Sequence, residues 1–232
     1  MHSFKKTNQM ILLSYPIKEQ MPTYRNGDKP LIKPEKQMKA GDRCNTVKLS
    51  ISNHVGTHID CPSHFNADGQ TLTDYPPDFW FCRHVQLFQY NLNENELCDA
   101  HHLQKAYEKS FLKIPNAEAV LLITGWYRKR KTVCYWQSSP GFLPNTFHWL
   151  KETFPKIRFF GFDVISLSSY SKREIGRKAH GVFLCNKSPI LIIEDMNFSM
   201  LPADQGLKNM LISPLFVSGI DGSPCSIWGN LL

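Results

Sequence analysis

The 232-residue chain has no apolar run approaching the length needed to span a bilayer, which excludes a helical membrane protein from sequence alone. It has no CxxC pair, and its seven cysteines (44, 61, 82, 98, 134, 185 and 225) are odd in number and scattered, so neither a disulfide framework nor a thiolate zinc finger is expected. It contains no internal repeat and no low-complexity segment. The leading MHSFKKTNQMILLSYPI sets lysines before an apolar run of only Met10 to Leu13, with no small-residue cleavage site after it. A cytoplasmic protein with reduced, mostly buried cysteines is expected.

Acidic residues are also in short supply. With 27 Lys and Arg against 20 Asp and Glu, the net charge is +7, which raises the question of a polyanion partner. The basic runs are Arg128-Lys129-Arg130-Lys131 and the set Lys172, Arg173, Arg177, Lys178. Neither is interleaved with an aromatic platform, so solvated loop charge is the expectation and nucleic-acid binding is not. Attraction of an anionic small substrate is the remaining use for this charge.

The chain does have apolar material for a sizeable core, 42% hydrophobic residues, in a length that suits a single domain over residues 1–232. Val47, Leu49 and Ile51 alternate with polar residues, predicting a half-buried strand that runs into His54. VQLFQY (85–90), AVLLIT (119–124), IRFFGFD (157–163) and ILIIE (190–194) read as further strands. Asp99 is placed to cap a helix over AHHLQKAYEKSF, and Asn145 to cap TFHWLKETF, which Pro155 stops. The alternation predicts a mixed α/β fold with a mixed sheet.

The densest chemistry is NHVGTHIDCPSHF, residues 53 to 65, which places His54, His58, Asp60 and His64 within thirteen residues of a chain that has nine histidines. All four offsets are even, so on a strand the side chains share one face. A straight strand would still part His54 from His58 by roughly 13 Å. Gly56 is where a bend can close that gap, and Pro62 is where the chain can turn to bring His64 back. Imidazoles and a carboxylate without thiolates suit zinc, manganese or iron and leave room for water. A closed structural zinc site is the weaker alternative, because no cysteines complete its tetrahedron. Cys61 lies inside the cluster and raises a weak nucleophile reading. Thr57 is expected to be structural, and Phe79-Trp80-Phe81 offers a wall for an aryl substrate or, equally, core packing.

HVGTHIDCPSHF closely resembles the HxGTHxDxPxHF signature of the cyclase family of metal-dependent hydrolases, which includes bacterial kynurenine formamidases and isatin hydrolases. LLSYPIKEQMPTY, LLITGW, FFGFDVISLS, AHGVFLCNKSPILIIEDMNFSML and GIDGSPCSIWG resemble further family segments in order along the chain. The resemblance implies a swivelling β/β/α-type fold, a homodimer, and one or two divalent ions, zinc first and manganese second. It implies His54, His58 and Asp60 as ligands of a first ion, with Asp60 bridging to a second held by His180 and Glu194. It implies His64 as the catalytic acid/base. Glu194 is independently plausible at the end of an apolar strand, where a buried carboxylate needs a cation. His180, before Gly181, reads from sequence as a loop residue. Cys61 stands where the family often has a small residue, and Cys225-Ser226 follow Ser223-Pro224 where the family commonly has an arginine. The implied activity is an arylformamidase-like hydrolysis of a small aryl amide, with N-formylkynurenine as the reference substrate. Lactam or lactone hydrolysis, ring-closing synthesis and a non-catalytic metal-bearing binding protein are the alternatives.

Overall fold

A computed structural model describes residues 9–202 and 205–232, and the leading Lys5 and Lys6 lie outside them. Strand β1 (Met10–Leu12) is followed by β2 (Leu31–Lys36), β3 (Thr46–Ser50), β4 (His58–Asp60), β5 (Phe81–Cys82), β6 (Val85–Gln89) and β7 (Leu97–Cys98). Helix α1 (Ala100–Glu108) leads to β8 (Ala119–Ile123), α2 (Cys134–Gln137), β9 (Gly141–Phe142) and α3 (Asn145–Thr153). The chain ends with β10 (Phe159–Phe162), α4 (Arg173–Leu184), β11 (Leu191–Glu194), β12 (Leu207–Pro214) and β13 (Gly222–Leu231).

The main sheet runs β1-β13-β4-β11-β10-β8-β6-β12-β5, and β12 also pairs with β13, so the pairings close into a ring. Strands β11, β10, β8 and β6 are parallel neighbours, while β4 lies antiparallel between β11 and β13. Alternation along these strands sorts the apolar residues into two cores. Ile59, Leu121, Phe159 and Ile193 belong to one cluster with Met210 and Ile227 of the closing hairpin. Val120, Leu122, Phe160 and Ile192 belong to the other, packed with Leu103, Leu150 and Phe183 of the helices. Burial on both faces explains why β8, β10 and β11 read as unbroken apolar runs.

The strands expected at 85–90, 119–124, 157–163 and 190–194 form within a few residues of their expected ends. Asp99 caps α1 by accepting the His102 amide at 3.1 Å. Two expectations are corrected. Asn145 is the first residue of α3 and does not cap it; its side-chain oxygen accepts the Ala100 amide instead. Strand β3 is not half-buried, since it pairs only with β2 and leaves Val47 and Leu49 56% and 50% exposed. Its alternation is real, but no body lies behind the apolar face.

Candidate metal centre

The centre is built on β4, which is only three residues long. Ile59 turns into one core, so His58 and Asp60 face the opposite side, toward α4. Antiparallel register sets His58 opposite Glu194 and Asp60 opposite Ile192, which brings the Glu194 carboxylate onto the same face. The bend expected at Gly56 is present, with φ +66°, a left-handed conformation that glycine adopts without strain. Its carbonyl accepts the Nδ1–H of His58 at 2.8 Å. His54 therefore sits before the bend in a loop rather than on the strand, and its Nδ1 returns to 2.9 Å from Asp60 Oδ1. A short 3-10 turn at Pro62–His64 brings the His64 ring to 4.1 Å from that of His54.

Helix α4 supplies the other wall. His180 is buried within this helix, not on a loop, because the apolar stripe around it packs on β11 and β9. Its Nδ1–H donates to the Gly176 carbonyl at 2.9 Å. Glu194 Oε1 accepts the Leu167 amide at 2.6 Å and the Ser166 hydroxyl at 3.2 Å. Gly176 lets α4 sit this close: a Cβ there would lie 2.0 Å from Ser168 Oγ.

With Nδ1–H of both His58 and His180 committed to carbonyls, each Nε2 presents a lone pair to the carboxylates. His58 Nε2 lies 3.5 Å from Asp60 Oδ1 and 3.4 Å from Glu194 Oε2. His180 Nε2 lies 3.4 Å from Glu194 Oε1 and 3.7 Å from Asp60 Oδ2. Lone pairs facing buried anions need a shared proton or cation. Two atoms each about 2.1 Å from a tetrahedral ion stand about 3.4 Å apart, so these spacings fit a divalent metal. His54 repeats the pattern, with Nε2–H donated to Asp221 Oδ2 at 2.9 Å and Nδ1 facing Asp60. Without an ion, protons take this role. Burial disfavours charge on His58, but Glu194 and Asp60 outweigh it and raise its pKa to about 9. His54 and His180 are raised against the same burial, and Glu194 is held well below the usual carboxylate range, its burial outweighed by His180 and His58.

All six residues singled out in sequence, His54, His58, Asp60, His64, His180 and Glu194, line one cavity of about 280 Å3. Their ligand atoms group as His54, Asp60 and His64 on one side and His58, Asp60 and Glu194 on the other. His58 thus faces the Glu194–His180 side, and His54 keeps company with His64. Phe79 and Trp80 do not line this cavity; Trp80 is buried in the core that holds Ile59, and Phe79 packs beside it. Cys61 is buried in that same core, where burial and then the Asp60 charge push its thiol far above the usual range. That rules out the nucleophile reading and keeps the thiol on the side away from the ligands. Thr57 is structural, donating to the Asp195 carbonyl and accepting the Tyr15 amide.

Sequence reasoning missed three residues. Asp221 Oδ2 accepts His64 Nδ1–H at 2.6 Å as well as His54 Nε2–H, and only its place before Gly222 in GIDG could have marked it. Phe65 stacks on the His180 ring at 4.9 Å. Arg173 lines the cavity rather than a solvated loop. Arg130 is likewise no solvated charge: it clamps the buried Asp195 through Nε and Nη2 at 2.8 and 2.6 Å.

The model of a family described as putative cyclase matches residues 11–169, more than half of the chain. The chain belongs to this family. This cyclase-family protein is 28% identical over 222 residues to a kynurenine formamidase of Bacillus anthracis, covering 94% of the chain and 96% of the relative. It is 28% identical over 203 residues to cyclase-like protein 2 of Oryza sativa subsp. japonica, covering 84% and 68%. In fold it is similar to isatin hydrolase A from Labrenzia aggregata, solved with benzyl benzoate, at TM-score 0.81, 19% identity and 96% and 93% coverage. An isatin hydrolase solved with the product analogue thioisatinate gives TM-score 0.80 at 18% identity, with 97% and 92% coverage. These neighbours share its mixed α/β fold and mixed sheet.

Proposed function

We propose that this cyclase-family chain, read as one domain over residues 1–232, is a metal-dependent hydrolase of small acyl amides. The reading is arylformamidase-like, with N-formylkynurenine as its reference substrate. One observation carries it: three imidazole lone pairs and two carboxylates converge on a single cavity beside a His64–Asp221 pair. The formamidase relatives, which span nearly the whole chain, support the same chemistry.

His54, His58, Asp60, His180 and Glu194 would hold one or two divalent ions, and the sulfur-free N and O set suits zinc first and manganese second. Bound there, such an ion would supply Lewis-acid polarisation of the scissile carbonyl and would lower the pKa of water toward neutrality. His64 then acts as the proton carrier. Its Nδ1–H is committed to Asp221, so Nε2 is the free base that takes a proton from the attacking water and returns it to the leaving nitrogen. Phe65, Tyr24 and Ile165 line the cavity and replace Phe79 and Trp80 as the surface against which an aryl group would lie.

The same residues would open a lactam, and a cavity of about 280 Å3 admits a compact bicyclic ring. No helix among the described residues is long and apolar enough to cross a membrane. Seven free cysteines, four of them buried, support the cytoplasmic reading. The exposed β2–β3 ribbon, with Leu31, Val47 and Leu49 uncovered, supports the homodimer, which sedimentation at twice the chain mass would establish and monomeric sedimentation would refute.

The deciding experiment is hydrolysis of N-formylkynurenine by chelator-stripped protein, before and after zinc or manganese is restored. Metal-restored release of formate is expected. Tight metal binding without turnover of this or any other amide or lactam would overturn the hydrolase reading in favour of a metal-bearing binding protein.

A further inference from the structure

The two ends of the cavity differ in charge. At the floor, the carboxylates of Asp60 and Glu194 would be cancelled by one divalent ion. The remaining acid that lines the cavity, Asp195, is already clamped by Arg130. At the mouth stand two arginines of α4. Arg173, Arg177 and His180 are spaced by four and three residues, so they share one face of the helix. Seven residues of helical rise place Arg173 about 10 Å from His180 along the axis. Arg177 is paired outside the cavity with the exposed Glu174, at 2.7 Å. Arg173 has no carboxylate within ion-pair distance among the described residues, and it lines the cavity together with Tyr24. Once the floor is neutralised by a metal, Arg173 is the cation among the lining residues that is left without an acidic partner.

We infer that Arg173, assisted by Arg177, is a specificity-determining anion clamp, and that the substrate carries a carboxylate about one aromatic ring away from the scissile amide. The inference rests on the hydrolase reading and names its substrate class. An arginine fork matches a carboxylate in two parallel hydrogen bonds, and it does so best where, as here, it is half-buried and otherwise unpaired. Phe65 and Tyr24 also line the cavity, and the intervening ring would lie against them. A neutral amide of the same shape would fill the same space and leave the guanidinium without its partner.

The test uses metal-loaded protein and the near-isosteric pair 4-aminobenzoate and 4-aminobenzamide, whose acid or amide lies across the ring from the nitrogen, with binding followed by titration calorimetry. Wild type should bind the acid about tenfold or more tightly than the amide. Arg173→Gln should lose that preference by weakening the acid alone, and Arg173→Lys should recover part of it. In turnover, N-formyl-4-aminobenzoate should show a KM about tenfold higher in Arg173→Gln with kcat within about twofold, while formanilide is unaffected. Equal affinity for the two probes in wild type would overturn the clamp. So would a preference that survives Arg173→Gln, since the carboxylate would then be seated at the metal. Failure of the underlying reading looks different: neither formamide is hydrolysed, although the acid is still preferred and Arg173→Gln still abolishes that preference.

Discussion

Asp221 holds two imidazoles at once, and the proposed proton carrier depends on it. Its carboxyl is held down at about 2 although burial opposes this, because His54 and His64 both donate to it. An asparagine there would keep the volume but would present an amide N–H₂ or a weaker acceptor, freeing His64 to take the wrong tautomer. Asp221→Asn is expected to lower kcat/KM by about 10- to 100-fold while metal content is retained, read by steady-state kinetics beside metal analysis. Unchanged kinetics would mean that Asp221 does not orient the base. This residue marks the limit of the sequence reading. The histidine cluster is legible because its members lie within eleven residues around one glycine and one proline, whereas Asp221 reaches His64 across 157 residues. Gly222 is the trace it leaves: a Cβ there would sit 2.6 Å from His54 Cε1, so the residue after Asp221 has to be small. Cys61 failed as a candidate for a reason of the same kind, since one step along a strand moves a side chain to the other face.

Legibility of the elements follows how each one is buried. Strands β8, β10 and β11 announce themselves because both of their faces are covered, so their residues form apolar runs, broken only where Glu194 ends β11 at the site. Helix α4 stays hidden, because Gly176 and Gly181 depress its helix propensity and its basic first turns read as loop. Packing outweighs propensity there, and the close seat of the helix on the Ser166–Ser168 segment is what aims His180 at Glu194. Gly176→Ala tests that seat. The added methyl would meet Ser168 Oγ, Cβ and Cα, the last of these backbone at 2.6 Å, so the helix rather than a rotamer must move. Alanine gains about 1 kcal/mol of helix propensity, and overpacking costs about 1–3 kcal/mol. The expected result is a fall in thermal stability with weakened metal affinity, measured by melting and metal titration together. A variant that melts higher and binds metal as well as wild type would show that the helix has room to spare.

Closure of the sheet is a property of the whole molecule, with no periodic signature in the sequence. Strand β12 joins β6 through a single residue pair, Leu207 with Val85, and β13 ties both the first strand and β4 to it. The candidate site thus couples β4, β11, the closing strand and α4, so whatever occupies it stabilises the molecule as a whole. In the metal-free protein that occupant is protons. His58 is raised from 6.5 to about 9, so its contribution is fully present below pH 6.5 and is lost as pH rises toward 9. Glu194 is depressed from 4.5, so its contribution is present above that value and is lost as pH falls through its folded value. The melting temperature of chelator-stripped protein should therefore be highest between about pH 4.5 and 6.5 and should fall on the alkaline side. A divalent ion needs the same imidazoles neutral, so it displaces these protons and binds more tightly as pH rises. The gap in melting temperature between metal-loaded and stripped protein should widen from pH 6 to pH 9. A gap of equal size at both values would mean that the buried imidazoles neither hold protons in the empty site nor yield them to the ion.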